Sequence, residues 1–130
     1  MSATLTQARP VAFIPINDKD KALAFYRDQL SLTLIEDESP FALVFDLSGT
    51  MLRATFVGDF KAQPFTTLGW TVADIASTVQ ELAAQGVAFT RYPGLNDTHP
   101  LGIWTAPGGA QVAWFQDPFG NTLSLTQFSV

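Results

Sequence analysis

Near the C-terminus, residues 122–128 alternate hydroxyl-bearing and apolar side chains with a period of two, the pattern of a strand with one polar and one apolar face. The five residues before this strand, Asp117-Pro118-Phe119-Gly120-Asn121, favour a tight reversal. Proline presets one backbone angle there, and Gly-Asn tolerates positive φ. Because residues 106–116 are largely apolar, the whole segment 106–128 is predicted to form a β-hairpin.

The same patterning predicts two successive groups of elements. The first has strands at about 10–16, 32–37, 41–47 and 51–57, with a helix at about 19–29 capped by Asp18. Residues 58–64 have the composition of a linker. The second group begins with a strand at 65–72 and a helix that Asp74 caps and Gly86 ends, followed by a strand at 87–92, a loop at 93–100 and a segment at 102–106 that leads into the hairpin.

Both groups therefore read strand, helix, strand, strand, strand, and they align. Asp18 corresponds to Asp74, 56 positions further on, and Gly49 corresponds to Gly120, 71 positions further on. The second group is therefore 15 residues longer between these two points (71 − 56), and the additional residues lie where it has its long loop. We therefore predict one α+β domain over residues 1–130, built from two βαβββ modules at about 9–57 and 65–128.

Composition excludes several classes of function. The chain has 130 residues with 7 basic and 12 acidic side chains, a net charge of −5, so it lacks the basic stripe that a nucleic-acid binder needs. It contains no cysteine, which excludes thiol catalysis and thiolate metal sites. No apolar run approaches the roughly 20 residues that cross a bilayer, and the N-terminus does not resemble a signal peptide, so we expect a cytoplasmic protein without membrane partners.

Three motifs resemble the vicinal oxygen chelate superfamily, which includes glyoxalase I, bleomycin-resistance proteins and extradiol dioxygenases. They are the first strand and helix, from Val11-Ala12-Phe13-Ile14-Pro15-Ile16-Asn17-Asp18 to Ala24-Phe25-Tyr26-Arg27-Asp28; the second copy, ending Val72-Ala73-Asp74; and Trp114-Phe115-Gln116-Asp117-Pro118-Phe119-Gly120-Asn121. The resemblance implies that the two modules curl their mixed sheets around a cup, with the helices outside. It also implies a homodimer.

In metal-dependent members of this family, four inward side chains hold a divalent ion in the cup. The resemblance places Val11, Arg53, Thr67 and Ser124 at those positions. None is a credible ligand, and arginine would repel the ion, so we expect no metal and no other cofactor. The preferred interpretation is a metal-free protein that binds a small organic molecule. The alternative is a lyase, isomerase or dioxygenase whose metal ligands lie elsewhere or whose chemistry needs no metal.

Strand alternation then predicts which side chains face the cup. Arg53 suits an anionic or oxygen-rich ligand, although it could instead pair with an acid such as Asp46. The loop at 93–100 is long enough to act as a lid, and its His99 could contact a ligand or simply be solvated. The predicted ligand-binding set, with no catalytic residue assigned, is Phe13, Arg53, Thr67, His99, Trp104, Trp114 and Ser124.

Overall fold

A computed structural model describes residues 4–129, and the chain divides after Phe60 into two compact units. The first unit contains β1 (Val11–Ile16), α1 (Lys19–Ala22), a π-helix (Leu23–Gln29), β2 (Thr33–Glu38), β3 (Ala42–Leu47) and β4 (Thr50–Phe56). The second contains β5 (Thr66–Thr71), α2 (Ile75–Ala84), β6 (Phe89–Thr90), β7 (Trp104–Thr105), β8 (Gln111–Gln116) and β9 (Thr122–Gln127). The division falls within the segment 58–64, which was predicted to be a linker.

Each unit has a mixed sheet in which the first strand pairs in parallel with the last. The order is β1-β4-β3-β2 in the first unit and β5-β9-β8-β6 in the second, where β7 also pairs with β8. In the first sheet Phe13 lies opposite Arg53, and at the corresponding positions of the second sheet Gly69 lies opposite Ser124. The predicted α+β class and the repeated order of elements are confirmed. No helix among residues 4–129 is long and apolar enough to span a membrane.

Alternation in the first unit buries one face of its sheet. Ile14, Ile16, Leu52 and Ala54 are fully buried, whereas their strand neighbours Val11, Phe13 and Met51 are 41%, 62% and 43% exposed. We call the side of the sheet that carries Val11, Phe13 and Met51 the open face of that unit. This division follows from the period of two along a strand.

The first helix spans the predicted residues but changes type along its length. The Asp18 side chain accepts from the Lys21 backbone N–H at 3.0 Å and caps the N-terminus. From Leu23 to Gln29 the turn widens to a π-helix, so the prediction of one regular α-helix is wrong there. The consecutive residues Phe25 and Tyr26 are both buried in this wider turn, and the Tyr26 ring lies 5.9 Å from that of Phe45 in β3.

In the second unit, α2 packs its buried Ile75 and Val79 on the apolar side of the sheet. The Asp74 side chain accepts from the Ser77 N–H at 3.1 Å, which confirms the predicted N-cap. Gly86 follows the helix at φ 95°, the left-handed conformation expected after a helix end.

The hairpin turn is held by the buried Asp117 carboxylate. It accepts from the backbone N–H groups of Phe119 and Asn121, each at 2.9 Å, and from the Asn121 side-chain amide at 2.8 Å. Gly120 alone supplies the positive φ, at 87°, so the expectation that Asn121 shares this conformation is wrong. Asn121 instead contributes a buried hydrogen bond to the turn.

One predicted strand is much shorter than expected, because only Phe89–Thr90 of residues 87–92 pairs with β8. The segment 102–106, which was not assigned to a strand, contributes the short pairing of Trp104–Thr105 with β8. The Asn96 side chain explains the shortened strand: its Nδ2 donates to the Thr90 carbonyl at 3.0 Å and its Oδ1 accepts from the Tyr92 N–H at 2.7 Å. These backbone groups therefore serve the loop rather than the sheet.

Candidate functional site

The second sheet also has an open face, on the side away from Leu123, Leu125 and Phe115. Residues directly opposite each other on paired strands share a face. This open face therefore carries, across the sheet, Thr66, Gly69, Thr71, Thr122, Ser124, Thr126, Val112, Trp114, Gln116, Trp104 and Thr90. It combines hydroxyl groups with two indole rings.

A cavity of about 260 Å³ lies on this unit, just below the roughly 300–1,000 Å³ of ordinary small-molecule pockets. None of its lining residues is an Asp, Glu, Lys, Arg or His. The lining consists of Pro64, Phe65, Thr66, Tyr92, Leu95, Trp114 and Thr122. We call this cavity the aromatic pocket.

Aromatic contacts hold Trp114 in place. The Tyr92 ring meets it edge to face with centroids 5.5 Å apart, and the Trp104 ring lies 6.0 Å away at a tilt of 32°. Such spacings are those of favourable aromatic pairs. Phe65, another lining residue, is 60% exposed. The Trp114 ring of the pocket is thus held in position by its contacts with the Tyr92 and Trp104 rings.

Four side chains that line the pocket carry polar groups: Thr66, Tyr92, Trp114 and Thr122. Within residues 4–129, the Trp114 indole N–H and the Tyr92 hydroxyl have no hydrogen-bond partner. Every side-chain nitrogen or oxygen that is fully buried in the described chain does have one. These two groups therefore reach solvent and can bond to a ligand.

The loop 91–103 supplies Tyr92 and Leu95 to the pocket, and the side chains of Asn96 and Arg91 tie it together. Besides its bonds to Thr90 and Tyr92, the buried Asn96 donates to the Gly102 carbonyl at 2.7 Å. The Arg91 guanidinium donates to the carbonyl oxygens of four loop residues: Asn96, Asp97, His99 and Pro100. This density of bonds describes a fixed wall rather than the lid suggested by the loop's length.

The Nδ1 atom of the half-exposed His99 is occupied by the loop itself rather than free for a ligand. That nitrogen accepts from the backbone N–H groups of Leu101 and Ile103, at 3.0 and 3.2 Å. An accepting Nδ1 requires the neutral ring with its proton on Nε2. The imidazole therefore organises the end of the loop, a local role that its position in the sequence did not reveal.

A bulge in β5 changes which threonine pairs with Thr122 on β9. Thr66, not Thr67, lies opposite Thr122, and the next pair is Leu68 with Leu123. Thr67 is the extra residue, and its hydroxyl donates to the Thr122 carbonyl at 3.2 Å. Thr66 therefore lines the aromatic pocket, in place of the Thr67 that was predicted to contact a ligand.

The buried Ser124 directs its hydroxyl into the space that a side chain at Gly69 would occupy. A Cβ atom on Gly69 would lie 2.7 Å from the Ser124 Oγ. Gly69 also lines a smaller cavity of about 180 Å³ with Trp70, Thr71, Thr126 and Phe128. The absence of a side chain at Gly69 therefore makes room for the Ser124 hydroxyl on the open face.

In the first unit, Arg53 has an internal partner. Its Nη2 lies 2.6 Å from Glu38 Oε1, and the two side chains are 29% and 32% exposed. The suggested partner, Asp46, is wrong: its carboxylate accepts instead from the Gly49 N–H at 2.9 Å and holds the β3–β4 turn. The Arg53 Nε and Nη1 groups have no partner within residues 4–129.

The groups with shifted pKa values also belong to the first unit, at its surface. Hydrogen bonds from Lys19 and then Ser39 lower the pKa of Asp37 to about 2. The hydrogen bond between Arg27 and Asp28 raises the pKa of the arginine and lowers that of the carboxyl. All three groups belong to two surface ion pairs, Lys19–Asp37 and Arg27–Asp28, rather than to a site prepared for proton transfer.

Of the residues predicted to bind a ligand, the structure gathers three in the second unit. Trp114 lies opposite Ser124 and beside Trp104, and Trp114 lines the aromatic pocket. Phe13 and Arg53 form a pair in the first unit. Sequence reasoning missed Tyr92, Leu95, Phe65 and Pro64, which lie in or beside segments assigned to a loop and a linker.

The side chains at the family's metal positions do not fit a divalent ion. Val11 has no donor atom, Arg53 is cationic and already paired, and the Thr67 hydroxyl is bonded to a backbone carbonyl. Among residues 4–129 there is no group of three or more His, Cys, Asp and Glu side chains that could hold a metal.

The family model of the Glyoxalase/Bleomycin resistance protein/Dioxygenase superfamily matches residues 8–125. The chain belongs to this superfamily. Solved structures of the superfamily share its fold. A glyoxalase family protein from Enterococcus faecalis has 18% sequence identity and a TM-score of 0.71, with 90% of this chain and 94% of that chain covered. None of the curated proteins compared with the chain matches it.

Two further structures are similar to the chain at comparable distance. Lactoylglutathione lyase from Agrobacterium tumefaciens has 17% identity and a TM-score of 0.72, covering 93% of each chain. A superfamily member from Sphaerobacter thermophilus has 23% identity and a TM-score of 0.68, covering 92% of this chain and 96% of that one. At these identities the likeness concerns the fold, and the function has to be argued from this chain's own residues.

Proposed function

We propose that this superfamily member binds a small organic molecule without the help of a metal ion. The aromatic pocket carries the proposal, because a concavity lined by aromatic and aliphatic side chains with a few polar groups is the usual make-up of a small-molecule site. The Trp114 indole N–H and the Tyr92 hydroxyl supply those polar groups. We retain Trp104 and Ser124, on the same face, as further members of the site.

The donor chemistry supports a metal-independent mode. Superfamily members that use a metal need oxygen or nitrogen ligands that are free to coordinate, and Val11, Arg53, Thr67 and Ser124 do not provide such a set. Catalysis by lyase chemistry, as the name of the Agrobacterium protein indicates for that protein, is the competing function. The lining has none of the His, Asp, Glu and Lys side chains that most often carry such proton transfers.

Two measurements on the purified protein test the proposal. Elemental analysis after dialysis against a mixture of Mn²⁺, Fe²⁺, Ni²⁺ and Zn²⁺ should find less than one-tenth of an equivalent of any of them. A thermal-shift screen of a fragment library should find at least one compound whose stabilising effect disappears in Trp114→Leu and persists in Trp70→Phe. A stoichiometric transition metal would refute the metal-free mode, and the absence of any stabilising compound would refute ligand binding.

Arg53 and Phe13 remain proposed ligand contacts of the first unit. Both lie on its open face, and Arg53 retains unpaired N–H groups although Glu38 compensates its charge. An anionic ligand must compete with Glu38 for the guanidinium. We therefore expect Glu38→Gln to strengthen the binding of any anionic compound from the screen, and Arg53→Ala to abolish it. Equal affinities in all three proteins would remove Arg53 from the site.

A homodimer belongs to the same proposal. The exposed Val11, Phe13 and Met51 give the open face of the first unit more apolar surface than an isolated sheet normally shows to water. Light scattering should report a mass of two chains at micromolar concentration, and Phe13→Asp should shift it towards one chain. A wild-type protein that stays monomeric at high concentration contradicts the assembly. A single domain with modules at 9–57 and 65–128, and a cytoplasmic location, stay predictions.

A further inference from the structure

We propose that the aromatic pocket selects uncharged, planar aromatic ligands and discriminates against anions and cations of the same shape. This inference rests on the proposed function and names the ligand class of that site. It differs from the expectation of an anionic ligand, which was based on Arg53 in the first unit.

The charge pattern of the lining is the first argument. None of its seven residues carries a formal charge, so an ion that entered would lose hydration without gaining a counter-charge. Arg91, the residue before Tyr92, is a cation, but its guanidinium is occupied by the carbonyl oxygens of the loop. It is therefore committed to the loop and does not form a direct ion pair with a bound carboxylate.

The lack of a carboxylate argues against cationic ligands in the same way. Aromatic faces attract cations, and Trp114 or Tyr92 alone could hold one. The carboxylate of the pocket's loop, Asp97, faces the loop itself, where it accepts from the Gly94 N–H at 3.1 Å. No carboxylate lines the pocket to compensate the charge of a bound cation.

Shape and polarity define the rest of the ligand. A volume of about 260 Å³ holds one or two rings rather than a drug-sized molecule. The Trp114 indole can only donate, so it selects a hydrogen-bond acceptor on the ligand, such as an amide or ketone oxygen. A ring packed against Pro64, Phe65 and Leu95 would be buried among apolar side chains with that acceptor at the indole.

Benzamide, benzoate and benzamidine form a nearly isosteric neutral, anionic and cationic series at pH 7. The protein is labelled with ¹⁵N-tryptophan, and the three indole signals are assigned with Trp→Phe variants at positions 70, 104 and 114. Benzamide should shift the Trp114 signal in a saturable manner while leaving Trp70 in place. Benzoate and benzamidine should need at least tenfold higher concentrations for the same shift.

Variants provide the controls. Trp114→Leu should abolish benzamide binding, measured by calorimetry, and Arg27→Gln, at the surface of the first unit, should not change it. Because Trp114→Leu could unfold the second unit, Tyr92→Leu serves as a second pocket variant, and the unchanged Trp70 signal reports that the fold is retained.

Three results would overturn the inference: benzoate or benzamidine binding as tightly as benzamide, binding that leaves the Trp114 signal unmoved, or no response to any of the three at millimolar concentration. The first result leaves the proposed small-molecule function standing and refutes only the ligand class. Failure of the broader fragment screen refutes both.

Discussion

The contact between Gly69 and Ser124 gives a quantitative prediction about the second sheet. Replacing Gly69 by alanine puts a Cβ atom 2.7 Å from the Ser124 Oγ and 3.4 Å from the Ser124 carbonyl oxygen. Real Cβ atoms do not approach so closely, so the serine side chain must rotate or β5 must move. Overpacking of this kind costs about 1–3 kcal/mol. Because Gly69 has no positive φ, alanine also recovers about 0.4–1 kcal/mol by restricting the unfolded chain.

The expected net effect of Gly69→Ala is a loss of about 1–2 kcal/mol in the free energy of unfolding. Urea unfolding followed by far-UV circular dichroism measures it, and the melting temperature should fall by roughly 3–6 °C. Gly108→Ala is the matched control, because a Cβ atom at Gly108 meets nothing within 4 Å. It should be neutral or slightly stabilising.

A double-mutant cycle identifies the cause. Ser124 Oγ has no hydrogen-bond partner among residues 4–129, so Ser124→Ala alone should change stability by less than about 0.5 kcal/mol. Combined with Gly69→Ala it removes the clashing oxygen, and most of the lost stability should return. If Gly69→Ala does not destabilise the protein, or if Ser124→Ala fails to restore it, the argument from close packing is wrong.

Two further predictions concern the loop and the first unit. Asn96→Ala removes the partner of three backbone groups and should destabilise the protein by about 2–3 kcal/mol, with faster amide exchange at Tyr92; an unchanged exchange rate would contradict the role given to Asn96. Asp37 contributes stability that is present above its unfolded pKa near 3.8 and is lost as pH falls towards about 2. Between pH 5 and pH 2, the Asp37→Asn variant should therefore lose less stability than the wild type, as measured by urea unfolding. Identical pH profiles for the two proteins would show that the contact with Lys19 does not cause the acid-induced loss of stability.

Local signals predicted most of the fold. Asp18 and Asp74 cap their helices as expected, because an N-cap depends only on residues within one turn. The alternation of buried and exposed residues located the strands to within a residue or two, except where the Asn96 side chain takes backbone groups away from the sheet. The widened turn at Phe25 and Tyr26 could not be predicted, because two adjacent aromatic residues fit the apolar face of an ordinary helix as well.

The candidate site was harder to predict, because it depends on strand register. The segment Thr66-Thr67-Leu68 alternates equally well with either threonine facing β9, and only the bulge decides between them. The partner of Arg53 could not be predicted for the same reason, because it too depends on strand register. A shift in pairing between Leu34 and Glu36 sets the position of Glu38, and nothing along the sequence indicates that shift.

The matched register of the two sheets has a consequence for protein engineering. One backbone position holds Phe13 beside Arg53 in the first unit and Gly69 beside Ser124 in the second. The duplicated fold therefore has two equivalent positions for each pair of side chains, one in each sheet. The pair in one sheet can be mutated while the pair in the other is kept. Exchanging the pairs would move a cation and an aromatic ring from one sheet to the other, into a position where Ser124 is now buried and Gly69 closely packed.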